Sequence, residues 1–174
     1  MDNKNTCCFS GHRFGGFNFH HSTLGQTLTE ALDKAVLAAI NDGSAVFLTG
    51  MAMGFDILAA ERVLLHQKSF RDIKLAAILP FKNQAQKYPR DWRRRFEDVL
   101  IAANEVIILN ERYFPGCYHG RNRYLIENSR RLICYFSGKK SGTGHTYGLA
   151  QKAGLDIINL WNDDFGNVAD EWDE

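Results

Sequence analysis

The sequence predicts a doubly wound α/β fold, a three-layer sandwich with a mostly parallel central sheet, and three observations lead there. Six short apolar runs, each bounded by Gly or polar residues, alternate with helix-length segments along the chain. Those segments carry apolar residues at three- and four-residue spacing. At 174 residues, 45% hydrophobic and 24% charged, the chain has the size and composition of one globular domain, which excludes disordered and fibrous classes.

The first strand is expected over residues 6–10. A helix follows over 24–41, with Leu28, Leu32, Val36 and Ala39 or Ile40 on one stripe and Gly43 beyond its end. Residues 45–49 form the second strand and 55–67 the second helix, with Ile57, Leu58, Leu64 and Leu65 together. The third strand, 73–79, leads to a helix over about 88–103 that opens with Pro89 near its first turn, where a missing N–H costs little. Its apolar stripe is Trp92, Phe96, Val99 and Leu100 or Ala103. The series closes with strands at 105–110, 131–136 and 156–160 and helices at about 121–128 and 145–153, the last ending before Gly154. Residues 1–162 read as a single domain without repeat or linker, and 163–174 as an acidic tail.

The formal net charge of +1 argues against a dedicated non-specific DNA binder. It averages two unlike parts. All 21 basic residues stand before position 153 with 13 acids, giving +8, and the rest carries seven acids and no base. The tail is most simply a solvated end. Residues 1–5 lack the apolar stretch of a secretory signal, and no apolar run approaches the roughly 18–20 residues of a membrane helix. A cytoplasmic protein without a membrane partner is expected. Cys7 and Cys8 are adjacent in a strand and would face opposite sides. With Cys117 and Cys134 they form no CxxC pair, so buried reduced thiols are expected, with no metal site and no cofactor.

In a sheet of this kind ligands sit beyond the carboxyl ends of the strands, so the loops that follow strands are where function belongs. The first is Phe9-Ser10-Gly11-His12-Arg13, where Gly11 allows a sharp turn, Ser10, His12 and Arg13 supply donors at the sheet edge, and Arg13 offers a two-point contact to phosphate or carboxylate. A solvated Arg and a surface His are the plainer reading. The second, Thr49 through Asp56, has Gly50 and Gly54 where a ligand would approach the backbone closely. Asp56 falls in the first turn of a helix, stabilises its dipole, and would repel a phosphate, so this loop suits ribose hydroxyls or a base. Glu61 interrupts the apolar stripe and needs a partner, either an internal Arg or a ligand donor. The third loop, 137–146, combines three glycines, two lysines and several hydroxyls with no acid, the chemistry of an anion cradle.

Arg90, Arg93, Arg94 and Arg95 lie beside Trp92 and Tyr88, and Arg121, Arg123, Arg130 and Arg131 add charge, a pattern that suits single-stranded DNA. Asp91, Glu97 and Asp98 dilute the first cluster, and a solvated helix face or an oligomer interface explains it more simply. Phe47, Phe70, Phe136 and Trp161 read as core. Phe14, Phe17 and Phe19 either cover a pocket or bury a long loop, and Phe81 at a strand end is the better candidate for stacking on a base.

Thr49-Gly50-Met51-Ala52-Met53-Gly54-Phe55-Asp56, followed by Ala59-Ala60-Glu61, resembles the SGxAxGxD…A motif of the SLOG superfamily. That superfamily unites the DNA-processing protein A domain, the cytokinin-activating phosphoribohydrolases and the YpsA-like proteins. Phe9 through Arg13, Leu79-Pro80-Phe81 and the 141–146 loop are most similar to the YpsA-like branch, so four ordered motifs carry the resemblance over about residues 6–160. The resemblance implies a Rossmann-like fold that binds a nucleotide or nucleotide-derived ligand, and a homodimer or higher homo-oligomer. The phosphoribohydrolases cleave an N-glycosidic bond with an Arg and a Glu, the Glu in a PGGxGTxxE motif. Here Thr146 stands in the glutamate's place, which leaves Asp56 and Glu61 as candidate acid/base groups and Arg13 to steady a phosphate.

The expectation is a nucleotide-binding sensor or regulatory module. Its site is Ser10, Gly11, His12 and Arg13 with Thr49, Gly50, Met51, Gly54 and Asp56, then Pro80 and Phe81, and Ser141, Gly142, Thr143, Gly144, His145 and Thr146. Hydrolysis of a nucleoside monophosphate is the alternative, and single-stranded DNA binding comes third.

Overall fold

A strand that is apolar on both faces has to be covered on both faces, and the first strand, β1 (Thr6–Gly11), is buried along its whole length. In the computed structural model, which describes residues 3–14 and 22–162, β1 lies inside a sheet of six parallel strands. The others are β2 (Val46–Thr49), β3 (Lys74–Leu79), β4 (Glu105–Ile108), β5 (Arg131–Tyr135) and β6 (Asp156–Asn159), in the spatial order β4-β3-β2-β1-β5-β6. The helices are α1 (Thr23–Asn41), α2 (Phe55–His66), α3 (Arg90–Ala102), α4 (Cys117–Glu127) and α5 (Gly142–Ala153).

Two cores make the three layers. Leu28, Leu32 and Val36 of α1, Ile57 and Val63 of α2, and Trp92, Phe96 and Val99 of α3 pack with Phe9, Phe47 and Leu75 on one face. Leu125 and Ile126 of α4 and Ala150 of α5 pack with Cys8, Leu48, Ile78 and Leu132 on the other. Phe9, Phe47 and Leu75 have no exposed surface, and each such burial is worth about 1.5–3 kcal/mol. Cys7 and Cys8 belong to opposite cores, as their adjacency requires, and all four cysteines are free and buried. Among the described residues no helix is long and apolar enough to cross a membrane.

The chain steps outward from β1 through β2 and β3 to β4, then returns to add β5 and β6 on the other side of β1. Connections from β1 and β5 therefore leave on opposite faces, and the gap between their carboxyl ends is the switch point where doubly wound sheets hold ligands.

Helix limits differ from expectation at two places that matter. Helix α4 starts at Cys117 rather than 121, after Gly116 in the left-handed region (φ 92°). Helix α5 starts at Gly142 rather than 145, capped by Ser141, whose Oγ accepts from the Gly144 amide at 3.1 Å. Both first turns hold glycine and polar residues, which apolar periodicity does not register. Pro89 is the residue just before α3, after a short 3-10 turn at Gln84–Lys87. Phe17, Phe19 and the acidic tail at 163–174 lie outside the described residues.

Candidate functional site

The turn after β1 is built by close packing. The Phe55 ring lies 2.4 Å from where a Cβ on Gly11 would stand, so only glycine fits there. His12 is buried, its ring among Tyr135, Phe136 and Trp161 with centroids about 6 Å away. The Ser137 amide donates to His12 Nε2 at 2.8 Å, so this nitrogen is the acceptor, and Ser137 Oγ lies 2.9 Å from it. His12 thereby fixes the end of β1 to the loop after β5. Arg13 stays exposed at the mouth.

The loop between β2 and α2 is held from three sides. Thr49 Oγ1 donates to the Asp56 carbonyl at 3.1 Å and accepts from the Met51 amide at 3.2 Å. The Gly50 carbonyl accepts from Gln84 Nε2 at 3.0 Å and from Arg121 Nη1, and Tyr88 OH donates to the Met51 carbonyl at 3.2 Å. These bonds hold Met51 in the left-handed region (φ 57°), a conformation that costs a non-glycine residue about 1–3 kcal/mol. The two glycines accommodate protein. A Cβ on Gly50 would lie 2.6 Å from the Arg121 guanidinium, and one on Gly54 (φ 100°) would lie 2.5 Å from the Phe14 amide nitrogen. The close approach expected of a ligand at these glycines is made by Arg121 and by the backbone of Arg13 and Phe14.

Asp56 and Arg121 are the electrostatic centre. Asp56 is 5% exposed; its Oδ2 accepts from the Ala52 amide at 3.3 Å, while Oδ1 has no hydrogen-bond partner. Burial pushes its carboxyl up to about 6 against the opposing pull of Arg121, the Ala52 amide, Arg13 and the nearby Gly11 amide. Arg121, equally buried, donates from Nε to Asn122 Oδ1 at 2.8 Å. Burial lowers its pKa, and Asp56 counteracts that.

A polar cleft of about 440 Å³ opens at this point. Of the expected residues, Ser10, Gly11, His12, Arg13, Asp56, Ser141, Gly142 and Thr143 line it. Tyr118, His119, Arg121 and Asn122 of α4 line it too, with Lys140. A second cleft of about 410 Å³ shares Arg13 and Tyr118 with the first and includes Phe81, Tyr88 and Tyr113. There Phe81 meets Tyr113 and Tyr118 edge to face, with centroids 5.7 and 5.8 Å apart.

Other expected residues lie elsewhere. Thr49, Gly50, Met51 and Gly54 support the cleft without lining it. The Pro80 carbonyl accepts from Asn110 Nδ2 at 2.9 Å. Thr146 is buried and donates to the Gly142 carbonyl at 3.3 Å, and Gly144 caps α5 on Ser141. His145 is exposed, its Nδ1 3.1 Å from Nδ1 of His119. Glu61 does not reach the cleft. It takes both prongs of Arg95 at 2.7 and 2.6 Å, and that guanidinium lies 4.2 Å over the Trp92 ring. The internal Arg partner is the observed one. Glu61→Gln is therefore expected to cost about 1–2 kcal/mol in urea unfolding, without changing the affinity of the cleft for any ligand.

The arginines that suited a nucleic-acid face are divided. Arg95 and Arg121 are engaged as described, and Arg131 bridges Asp42 and Asp156. Arg90, Arg93 and Arg94 remain exposed on α3.

Sequence reasoning treated Arg121 as surface charge and missed Tyr118, His119 and Asn122. A signal was present. Cys117, Arg121 and Leu125 recur at four-residue spacing, which puts an arginine inside an apolar helix stripe.

Comparison with known proteins agrees with this architecture. A UPF0398 protein of Halalkalibacterium halodurans is 28% identical over 141 residues, covering 80% of this chain and 74% of that protein. One from Bacillus cereus is 28% identical over 120 residues, 68% of this chain and 65% of that protein. Among solved structures, DNA processing protein A of Streptococcus pneumoniae superposes with a TM-score of 0.63 at 18% identity, over 95% of this chain and 53% of that one. DNA processing protein A of Helicobacter pylori, described for its mode of binding single-stranded DNA, gives 0.60 at 22% identity, over 92% and 67%. At these identities the structures share the Rossmann-like fold. The profile of the YspA SLOG family matches residues 7–154, so the chain belongs to the YspA SLOG family of the SLOG superfamily.

Proposed function

We propose that the chain binds a nucleotide or nucleotide-derived ligand across the two joined clefts, as a sensor or regulatory module. Asp56 carries the proposal: a buried carboxylate with an unpartnered Oδ1 lines a polar cleft and has the charge to accept from sugar hydroxyls. The amides and hydroxyls of 141–143, Lys140 and the N-terminus of α5 suit the anionic group. Arg13 stands between the clefts, and the Phe81, Tyr113 and Tyr118 rings suit the base. Thermal shift and calorimetry against nucleoside monophosphates and dinucleotides test this. At least one is expected to raise the melting temperature, with Phe81→Ala weakening it by about tenfold. Silence across the panel overturns the reading.

A hydrolase reading has one observation in its favour, the raised pKa of Asp56, which suits a general acid. Asp56 would pass a proton to the departing base nitrogen as the bond to the sugar C1′ breaks and water adds there. Release of free base from a bound nucleotide supports it; tight binding without product removes it. Binding of single-stranded DNA draws on the Helicobacter pylori neighbour and on exposed Arg90, Arg93 and Arg94. It requires a salt-sensitive shift of a labelled strand that reversing those charges abolishes. A homodimer has support in exposed Val106 and Ile108 on edge strand β4, and light scattering on the full chain tests it.

A further inference from the structure

We propose that His119 and His145 form a two-histidine site for a divalent transition-metal ion of the zinc, nickel or copper kind, at the rim of the polar cleft. His119 stands in the first turn of α4 and His145 in the first turn of α5, so only the packing of these two helices brings them together. Their Nδ1 atoms are 3.1 Å apart and the ring planes cross at 74°. Two nitrogens bound to one ion at about 2.0–2.1 Å lie about 2.9 Å apart at a right angle and about 3.4 Å apart at the tetrahedral angle. The observed separation falls between these limits.

Without metal the gap suits a single Nδ1–H···Nδ1 hydrogen bond. Metal replaces it with no net proton release from the neutral rings. The ring holding its hydrogen on Nδ1 moves it to Nε2, and rotation of the two exposed side chains turns both Nδ1 lone pairs to the ion. Both side chains are exposed, so an ion reaches them without opening the core.

Among the described residues no group of three or more His, Cys, Asp or Glu gathers to hold a metal, so the protein supplies two positions and solvent or a bound anion supplies the others. His119 lines the polar cleft beside Ser141 and Gly142, which opens the remaining positions to an anion there. Arg123 and Lys152 place positive charge near His145, which opposes a bare cation, so an anion among the remaining ligands is needed to offset it. Imidazole selects borderline ions over magnesium and calcium, which prefer oxygen ligands. Sequence motifs built on cysteine pairs do not register such a site, because its ligands stand on separate helices.

The ion alone is the probe, so the test stands apart from any nucleotide result. Zinc and cobalt are titrated into the tag-free full chain by calorimetry and by cobalt absorption, with magnesium as control. One ion per chain is expected, weakened by about tenfold or more in His119→Ala and in His145→Ala. Thermal stability in chelator is expected to be unchanged in both; if alanine lowers it, His119→Gln and His145→Gln repeat the titration. Absence of binding to the wild type at millimolar metal overturns the proposal, as does binding that survives both substitutions undiminished.

Discussion

Replacing Arg121 by methionine is expected to lower folding stability by about 3 kcal/mol, although methionine fills much of the same volume. The guanidinium donates to the Gly50 carbonyl and to Asn122 Oδ1 inside the protein, and its charge is the largest influence favouring ionised Asp56 against desolvation. Methionine leaves Asn122 Oδ1 without this donor and Asp56 without its compensating cation. Gly50 retains Gln84 Nε2, which limits the loss. Asp56 then titrates above its present value of about 6. The same contact explains Gly50. An added Cβ would stand 2.6 Å from a guanidinium that is buried and bonded on two sides, so Gly50→Ala is costly in the wild type. With Arg121 gone the alanine has room, and a double-mutant cycle is expected to show coupling of about 1–2 kcal/mol. Urea unfolding of the four proteins measures both effects. Additivity of the two substitutions would mean that Gly50 is glycine for some reason other than Arg121.

This coupling also marks how far the sequence could be read. The alternation of β and α was visible because each strand is short and apolar and each long helix keeps a stripe, as with Leu28, Leu32 and Val36, or Trp92, Phe96 and Val99. The three post-strand loops were visible because a doubly wound sheet places ligands beyond its strand ends, and the cleft does gather residues from all three. What stayed hidden was contributed by α4. Its first turn, with Tyr118 and His119, has no periodicity to announce it, and Arg121 was read by its charge rather than by its place beside Cys117 and Leu125. Long-range partners were equally hidden. That Glu61 would meet Arg95, or that the space above Gly50 would be filled by a residue 71 positions away, follows from packing and not from spacing. Composition misled in one respect. Composition counts Arg95, Arg121 and Arg131 as charge for a nucleic-acid face, yet Arg95 is paired with Glu61, Arg121 is bonded inside the fold, and Arg131 bridges the exposed Asp42 and Asp156.

Asp56→Asn is expected to separate ligand binding from stability by moving them in opposite directions. The folded carboxyl titrates at about 6 and the unfolded one near 3.8, so between these values the folded chain holds a proton that the unfolded chain has lost. The stability that this proton linkage contributes is fully present below pH 3.8 and is lost as pH rises through 6. The shift corresponds to roughly 3 kcal/mol, so the stability of wild type relative to Asp56→Asn falls by about that amount from acid to neutral pH. Above pH 7 the buried, ionised Asp56 is a net cost to the free protein, and asparagine, which still accepts from the Ala52 amide, is expected to be no less stable. Ligand binding moves the other way. A charged acceptor for a sugar hydroxyl is worth about 1.5–3 kcal/mol, so the variant is expected to bind nucleotide about 10–100 times more weakly. Retaining a destabilising carboxylate makes sense where its buried, unpaired oxygen at the cleft wall meets a ligand, since function and stability commonly oppose each other at such sites. The opposite outcome, a variant destabilised at neutral pH that binds as tightly as the wild type, would make Asp56 a charge kept for the N-terminus of α2 alone.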